Sequence, residues 1–273
     1  MQTKQQKMLR LVESGLMLAL ATILSMVKVL DLPYGGSITA FSALPILLVG
    51  YRHGAAHGLI TAFAYSLMQL ILGANTLSYA TSVGAAVAIV ILDYLLAFTV
   101  LGLGGIFRKK LPHQGSALVL GAVVTGGMRY VLHVIAGCTV WAGLSIPDTA
   151  ALVYSLAYNA TYMIPEVAVT AIGAWYLSRA VNLQETTLSR APQVQTESRP
   201  AFVMGLLSGA ALLATAVWDV VEIFRPLQDP ETGDFIIQNL ALVNWPLVLI
   251  VTVTGGVVWL VFTIIKGWLN HTK

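Results

Sequence analysis

Met128–Trp141, MRYVLHVIAGCTVW, is apolar enough to lie in a membrane, yet it carries Arg129, His133, Gly137 and Trp141 at steps of four. On an α-helix that spacing sets all four on one slowly turning face. A guanidinium and an imidazole inside a bilayer are costly unless they face the protein interior and meet a partner or a ligand. The stretch therefore predicts a membrane-spanning helix whose inner face handles something polar.

The rest of the chain agrees with a membrane setting. Of 273 residues, 57% are hydrophobic and 10% are charged, far below the roughly 25% charged residues of soluble domains. The fold class expected is an all-α polytopic membrane protein. The net charge of +3 is explained by basic loops rather than by nucleic-acid binding. One cysteine, Cys138, excludes an internal disulfide. The basic start (Lys4, Lys7, Arg10) precedes a long apolar run without a small-residue cleavage site, so this run is read as the first helix.

Apolar runs lie near 11–30, 38–51, 54–73, 81–106, 115–140 and 150–178, and again near 201–224 and 242–265. The second is short for a span of about 20 residues. Between the two groups, NLQETTLSRAPQVQTESRP (182–200) is polar and reads as a linker. The expected organisation is a six-helix domain over 1–181, the linker over 182–200 and a two-helix membrane extension over 201–273. If all eight runs span, Lys4, Lys7, Arg10, Arg52, Arg108–Lys110, Arg179 and Lys266 fall on one side, which the positive-inside rule makes cytoplasmic, with both termini. The segments 31–37, 74–80 and 138–149 then face outward.

Depth brings further polar residues to one level. At about 1.5 Å per residue, Arg129 and His133 lie roughly 12–18 Å below Trp141, and Asp93, Tyr154 and Asn159 fall in the same outer half. Two readings of Asp93 stand: a partner of Arg129 that fixes helix packing, or a carboxylate for a cationic or nitrogen-rich ligand with Arg129 holding it in place. Trp141 is either an interfacial belt aromatic or a stacking face. Glu166 and Lys28 read as structural. His53 and His57 have helical ligand spacing but no evident third ligand, so no metal is expected. The chain also lacks a phosphate-binding loop and any hydrolase signature, so neither a catalytic residue nor a cofactor is assigned.

These stretches carry a family likeness. PYGGSIT (33–39), SALPILLVGYRHG (42–54), ILDYLLAFT (91–99), GLGGIF (102–107), and RYVLHVIAGCTVWAG (129–143) followed by YSLAYNATYMIPE (154–166) occur in order. Together they resemble the thiamine-specific substrate-binding (S) components of energy-coupling factor (ECF) transporters, the ThiT/YuaJ family, over residues 10–180. The resemblance implies a six-helix S component in the cell membrane that captures thiamine from outside. It implies docking onto a transmembrane T component and two ATPases. It places substrate contacts at Asp93, Tyr94, Arg129, His133, Gly137, Trp141, Tyr154 and Asn159, and a T-component contact on the small residues Gly15, Ala19, Ala21 and Ser25. Asp93 stands where the family usually has Glu. That leaves a thiamine precursor or another cationic heterocycle as the alternative ligand, and the extra helix pair leaves a self-sufficient transporter as an alternative mode.

Overall fold

The computed structural model describes residues 4–32, 35–143, 148–185, 188–191, 198–227 and 236–271. The chain divides into two compact units, 1–191 and 192–273.

Among its described residues the first unit has six long helices: α1 (Lys4–Met26), α2 (Ala43–His53), α3 (Ala55–Leu72), α4 (Val83–Leu103), α5 (Gln114–Gly143) and α6 (Asp148–Ala180). Among them α1, α3, α4 and α5 are long and apolar enough to cross a membrane. α6 is longer, but carries Asn159, Glu166 and Arg179, and buries one face that includes Tyr154, Tyr158, Tyr162 and Glu166. At 11 residues, α2 rises only about 16 Å and cannot cross alone. Between α1 and α2, β1 (Lys28–Asp31) pairs antiparallel with β2 (Ser37–Thr39). A continuous apolar reading of 11–30 misses this hairpin, because a run of Val and Leu suits strand and helix alike.

Small residues bring α2, α3, α4 and α5 together. A Cβ added to Gly50 or to Gly58 would lie 2.2 Å from the Gly102 carbonyl oxygen, and one on Gly121 would lie 2.2 Å from that of Gly104. Four helices therefore meet backbone to backbone, as membrane helices do at small residues. Gly54, at φ +88°, reverses the chain between α2 and α3, a conformation that disfavours any side chain.

One end of this unit is held by charge. Arg52 grips Glu13 through Nε and through Nη2 (3.2 Å to Oε2), and its Nη1 donates to the carbonyls of Leu183 (3.3 Å) and Glu185 (3.2 Å). Arg108 Nη1 donates to the Tyr51 carbonyl at 2.9 Å, and Nη2 to that of Gln184 at 2.8 Å. The start of α1, the end of α2, the loop after α4 and the chain leaving α6 thus share one end. His53 joins Glu13 at 3.2 Å and His57 meets Ser14 at 2.7 Å. The two imidazoles are engaged with separate partners rather than with a common centre.

On α1, the expected small-residue face divides. Ala21 and Ser25 are buried inside the bundle, and Ser25 accepts from Gln69 at 2.8 Å. Gly15 and Ala19 are exposed. At 100° per residue, Gly15 and Ala21 stand about 120° apart around the helix, so two i, i+4 pairs six residues apart cannot form one face. A surface that meets another subunit can include Gly15 and Ala19 but not Ala21 and Ser25.

The second unit is an antiparallel pair, α7 (Arg199–Phe224) and α8 (Trp245–His271), both apolar enough to span a membrane. Ser208 meets Thr263 at 3.0 Å, and Thr252 donates to Asp219 Oδ2 at 2.8 Å. A Cβ on Gly255 would lie 2.0 Å from Thr215 Oγ1. The chain is a multi-pass, all-α membrane protein.

Candidate substrate-binding site

The first unit encloses a cavity of about 520 Å³, inside the range of about 300–1,000 Å³ usual for small-molecule sites. It lies toward the end opposite the Arg52–Glu13 clamp, where α1 ends in Ser25 and Met26. The hairpin (Lys28, Gly35, Gly36, Thr39), the 3₁₀ turn Ala74–Tyr79 and the ends of α1 (Ser25, Met26) and α3 (Gln69, Leu72) line one part, and α4, α5 and α6 line most of the rest.

α4 contributes Asp93, Tyr94 and Phe98. Residues Ile89–Leu96 form π-helix within it, a widened turn common at functional sites. Here the departure from 3.6 residues per turn places Asp93, Tyr94 and Phe98 all on the cavity wall. Tyr94 is fixed from behind: its hydroxyl donates to the Gly73 carbonyl at 2.8 Å and meets Thr76 at 2.9 Å. Its ring stacks on Phe98 with centroids 6.2 Å apart.

α5 contributes Arg129, His133 and Gly137 at the spacing read from the sequence. Arg129 and His133 are buried. Their carboxylate partners differ from the expected pairing. His133 Nδ1 lies 2.8 Å from Asp93 Oδ1, whereas Arg129 Nη1 lies 3.2 Å from Glu166 Oε1 on α6. The Asp93–Arg129 pairing considered above is therefore corrected: Glu166, read as structural, takes the arginine. Phe98 stacks under the Arg129 guanidinium at 4.5 Å. Three residues determine this choice, and their positions on separate helices are set only by packing. His133 Nε2 and Arg129 Nε are buried without a protein partner. With Nδ1–H donating to Asp93, Nε2 is left as an acceptor.

α6 supplies Tyr158, Asn159, Tyr162 and Glu166. Asn159 is engaged locally: its amide donates to the Ser155 carbonyl at 2.8 Å and to Ser155 Oγ at 3.1 Å, and its Oδ1 accepts from Tyr162 at 2.6 Å. Tyr158 reaches the hairpin, where its hydroxyl accepts the Gly36 N–H at 3.0 Å. Tyr154 is buried but stands behind the wall, its ring parallel to that of Tyr158 at 6.1 Å. Gly137 is one of the points where α5 and α6 touch, since a Cβ there would lie 2.3 Å from Ser155 Oγ. Trp141 belongs to α5, but its side chain lies outside the described residues, as do Pro33 and Tyr34.

The sequence reading missed Phe98, Tyr158, Tyr162 and Glu166 as cavity residues, together with the polar rim from Ser42, Gln69 and Thr76. The i, i+4 tyrosine stripe ending in Glu166 was the available signal. Periodicity could not say whether that stripe faced a helix or a cavity.

Comparison with known proteins now bears on this geometry. The thiamine transporter ThiT of Bacillus subtilis (strain 168) is 33% identical over 180 residues, covering 62% of this chain and 90% of that protein. A structure of ThiT from Listeria monocytogenes superimposes with a TM-score of 0.51 at 21% identity, covering 63% of this chain and 94% of the other. At that identity the likeness speaks for the fold. The family described as thiamine transporter protein (Thia_YuaJ) matches residues 11–185, a range that includes every described residue lining the cavity. By its sequence over those residues, this chain belongs to the thiamine transporter protein (Thia_YuaJ) family.

Proposed function

We propose that this chain is the substrate-binding component of an ECF-type importer and captures thiamine in the cavity from the outer side of the membrane. The observation that carries the reading is the half-buried Asp93, hydrogen-bonded to His133 in a cavity walled by Tyr94, Phe98 and Tyr162. Thiamine is a cation with an aminopyrimidine and a thiazolium ring. A carboxylate compensates its charge, flat aromatic faces accept its rings, and His133 Nε2 can accept from its amino group. Trp141 and Tyr154 complete the set through the family likeness, Tyr154 by backing Tyr158. In this reading both termini are cytoplasmic, because the end carrying Arg52, Arg108 and Arg179 is the basic one. Capture involves no covalent step, so the chain has no enzymatic role. ATP-driven uptake is supplied by a T component and two ATPases.

The test is equilibrium binding of radiolabelled thiamine to the purified, ligand-stripped protein, with competition by the separate pyrimidine and thiazole alcohols. Saturable binding displaced far better by thiamine than by either fragment supports the reading. Preference for the pyrimidine alone moves the assignment to a precursor. Uptake by proteoliposomes holding this chain without ATPases would refute the ECF-type role.

A further inference from the structure

The cavity holds more charge than one ligand needs. Asp93 and Glu166 are both on its wall, and so is Arg129. Two carboxylates stand against one guanidinium there. Lys28, also on the wall, is exposed at the hairpin, where solvent screens it.

We infer that Glu166 is the residue that makes the cavity select a cation: by taking Arg129 into its own ion pair, it leaves the negative charge of Asp93 available to the ligand. This deepens the reading proposed above and rests on it. Three observations point the same way. Glu166 and Arg129 are each about nineteen-twentieths buried, at 5% and 4% exposure, so their charges interact with little screening. Arg129 is held in that pairing from a second side by the Phe98 ring, 4.5 Å from its guanidinium carbon. Asp93 meanwhile spends one oxygen on His133, and no ion pair to a lysine or arginine is found for it among the described residues.

A cavity containing Asp93 and Arg129 alone would be neutral overall. The arginine would then repel a thiazolium as strongly as the aspartate attracts it, wherever the two are equally distant. The second carboxylate reverses that balance. Glu166 is thus a positioning residue, acting through Arg129.

The experiment compares thiamine with its neutral isostere, in which a thiophene replaces the thiazolium ring, on the full-length protein. The wild type should bind the cation more tightly. Glu166→Gln should weaken thiamine by about 10–100-fold while changing the neutral isostere by less than about threefold. Because this variant leaves a buried arginine unpaired and can unfold, the double variant R129Q/E166Q is measured beside it. Lacking both charges, it should recover the preference for the cation even at lower overall affinity. Equal weakening of both ligands by E166Q, or a double variant indifferent to ligand charge, overturns the inference while leaving thiamine binding standing. A wild type that binds neither ligand overturns the functional reading and this inference together.

Discussion

Gly137 on α5 faces Ser155 on α6 so closely that a Cβ would lie 2.3 Å from the serine Oγ. That oxygen is already committed, donating to the Val134 carbonyl at 2.8 Å and accepting from Asn159 Nδ2 at 3.1 Å. The glycine therefore sets the distance between the two helices that hold His133 and Asn159. Gly137→Ala should force them apart, lowering stability by about 1–3 kcal/mol, the usual cost of overpacking. Thermal unfolding in detergent should show the lower midpoint, and thiamine affinity should fall with it.

Asp93→Asn keeps the volume and removes the charge. It should lower thiamine affinity by about 100-fold or more with a nearly unchanged unfolding midpoint, because Asp93 is only half-buried and an amide oxygen can still accept from His133. Isothermal titration against wild type measures the first effect, and a melting scan the second. Wild-type affinity in this variant would remove Asp93 from the site.

Tyr158→Phe deletes the acceptor of the Gly36 N–H without changing ring packing against Tyr154 and Tyr162. An unpaired buried N–H costs about 1–3 kcal/mol. Since this bond ties the hairpin to α6 across the cavity, the loss should emerge as faster ligand release, about 5–100-fold. Stopped-flow dissociation reads the rate directly, and an unchanged rate would show that the hairpin does not retain ligand.

Gly102→Ala places a methyl 2.3 Å from the Gly58 carbonyl carbon and 2.4 Å from its oxygen. Backbone cannot yield as a side chain can, so this variant should fail to give folded protein at all. Size-exclusion chromatography of the solubilised membrane fraction checks it, with Gly127→Ala, whose Cβ meets nothing within 4 Å, as the control.

Among the described residues, those lining the cavity lie between Ser25 and Glu166, and the unit that contains them ends at Ala191. A chain stopped after Ala191 should therefore bind thiamine within about twofold of the full protein. Binding lost on truncation would mean that α7 and α8 support the site.

Much of this was legible in the chain alone. The low charge content and long apolar runs announce a polytopic membrane protein, and steps of four place Arg129, His133 and Gly137 on one face of α5. The ordered motifs carried the family likeness. These features are local: they depend on helix geometry and on the cost of burying polar groups in lipid, which each segment carries with it.

What the sequence could not hold was the relation between segments. The choice of Glu166 over Asp93 as the partner of Arg129 depends on which carboxylate the packing of α4 and α6 brings nearer. The π-turn that sets Asp93, Tyr94 and Phe98 on one wall breaks the regular period from which a helix face is read. Tyr154 and Tyr158 are one turn apart and alike in sequence, yet one backs the wall and the other lines it. Composition and periodicity determined that polar side chains are buried in this membrane protein. Only tertiary packing, which fixes distances between helices far apart in the chain, decided which of them meet.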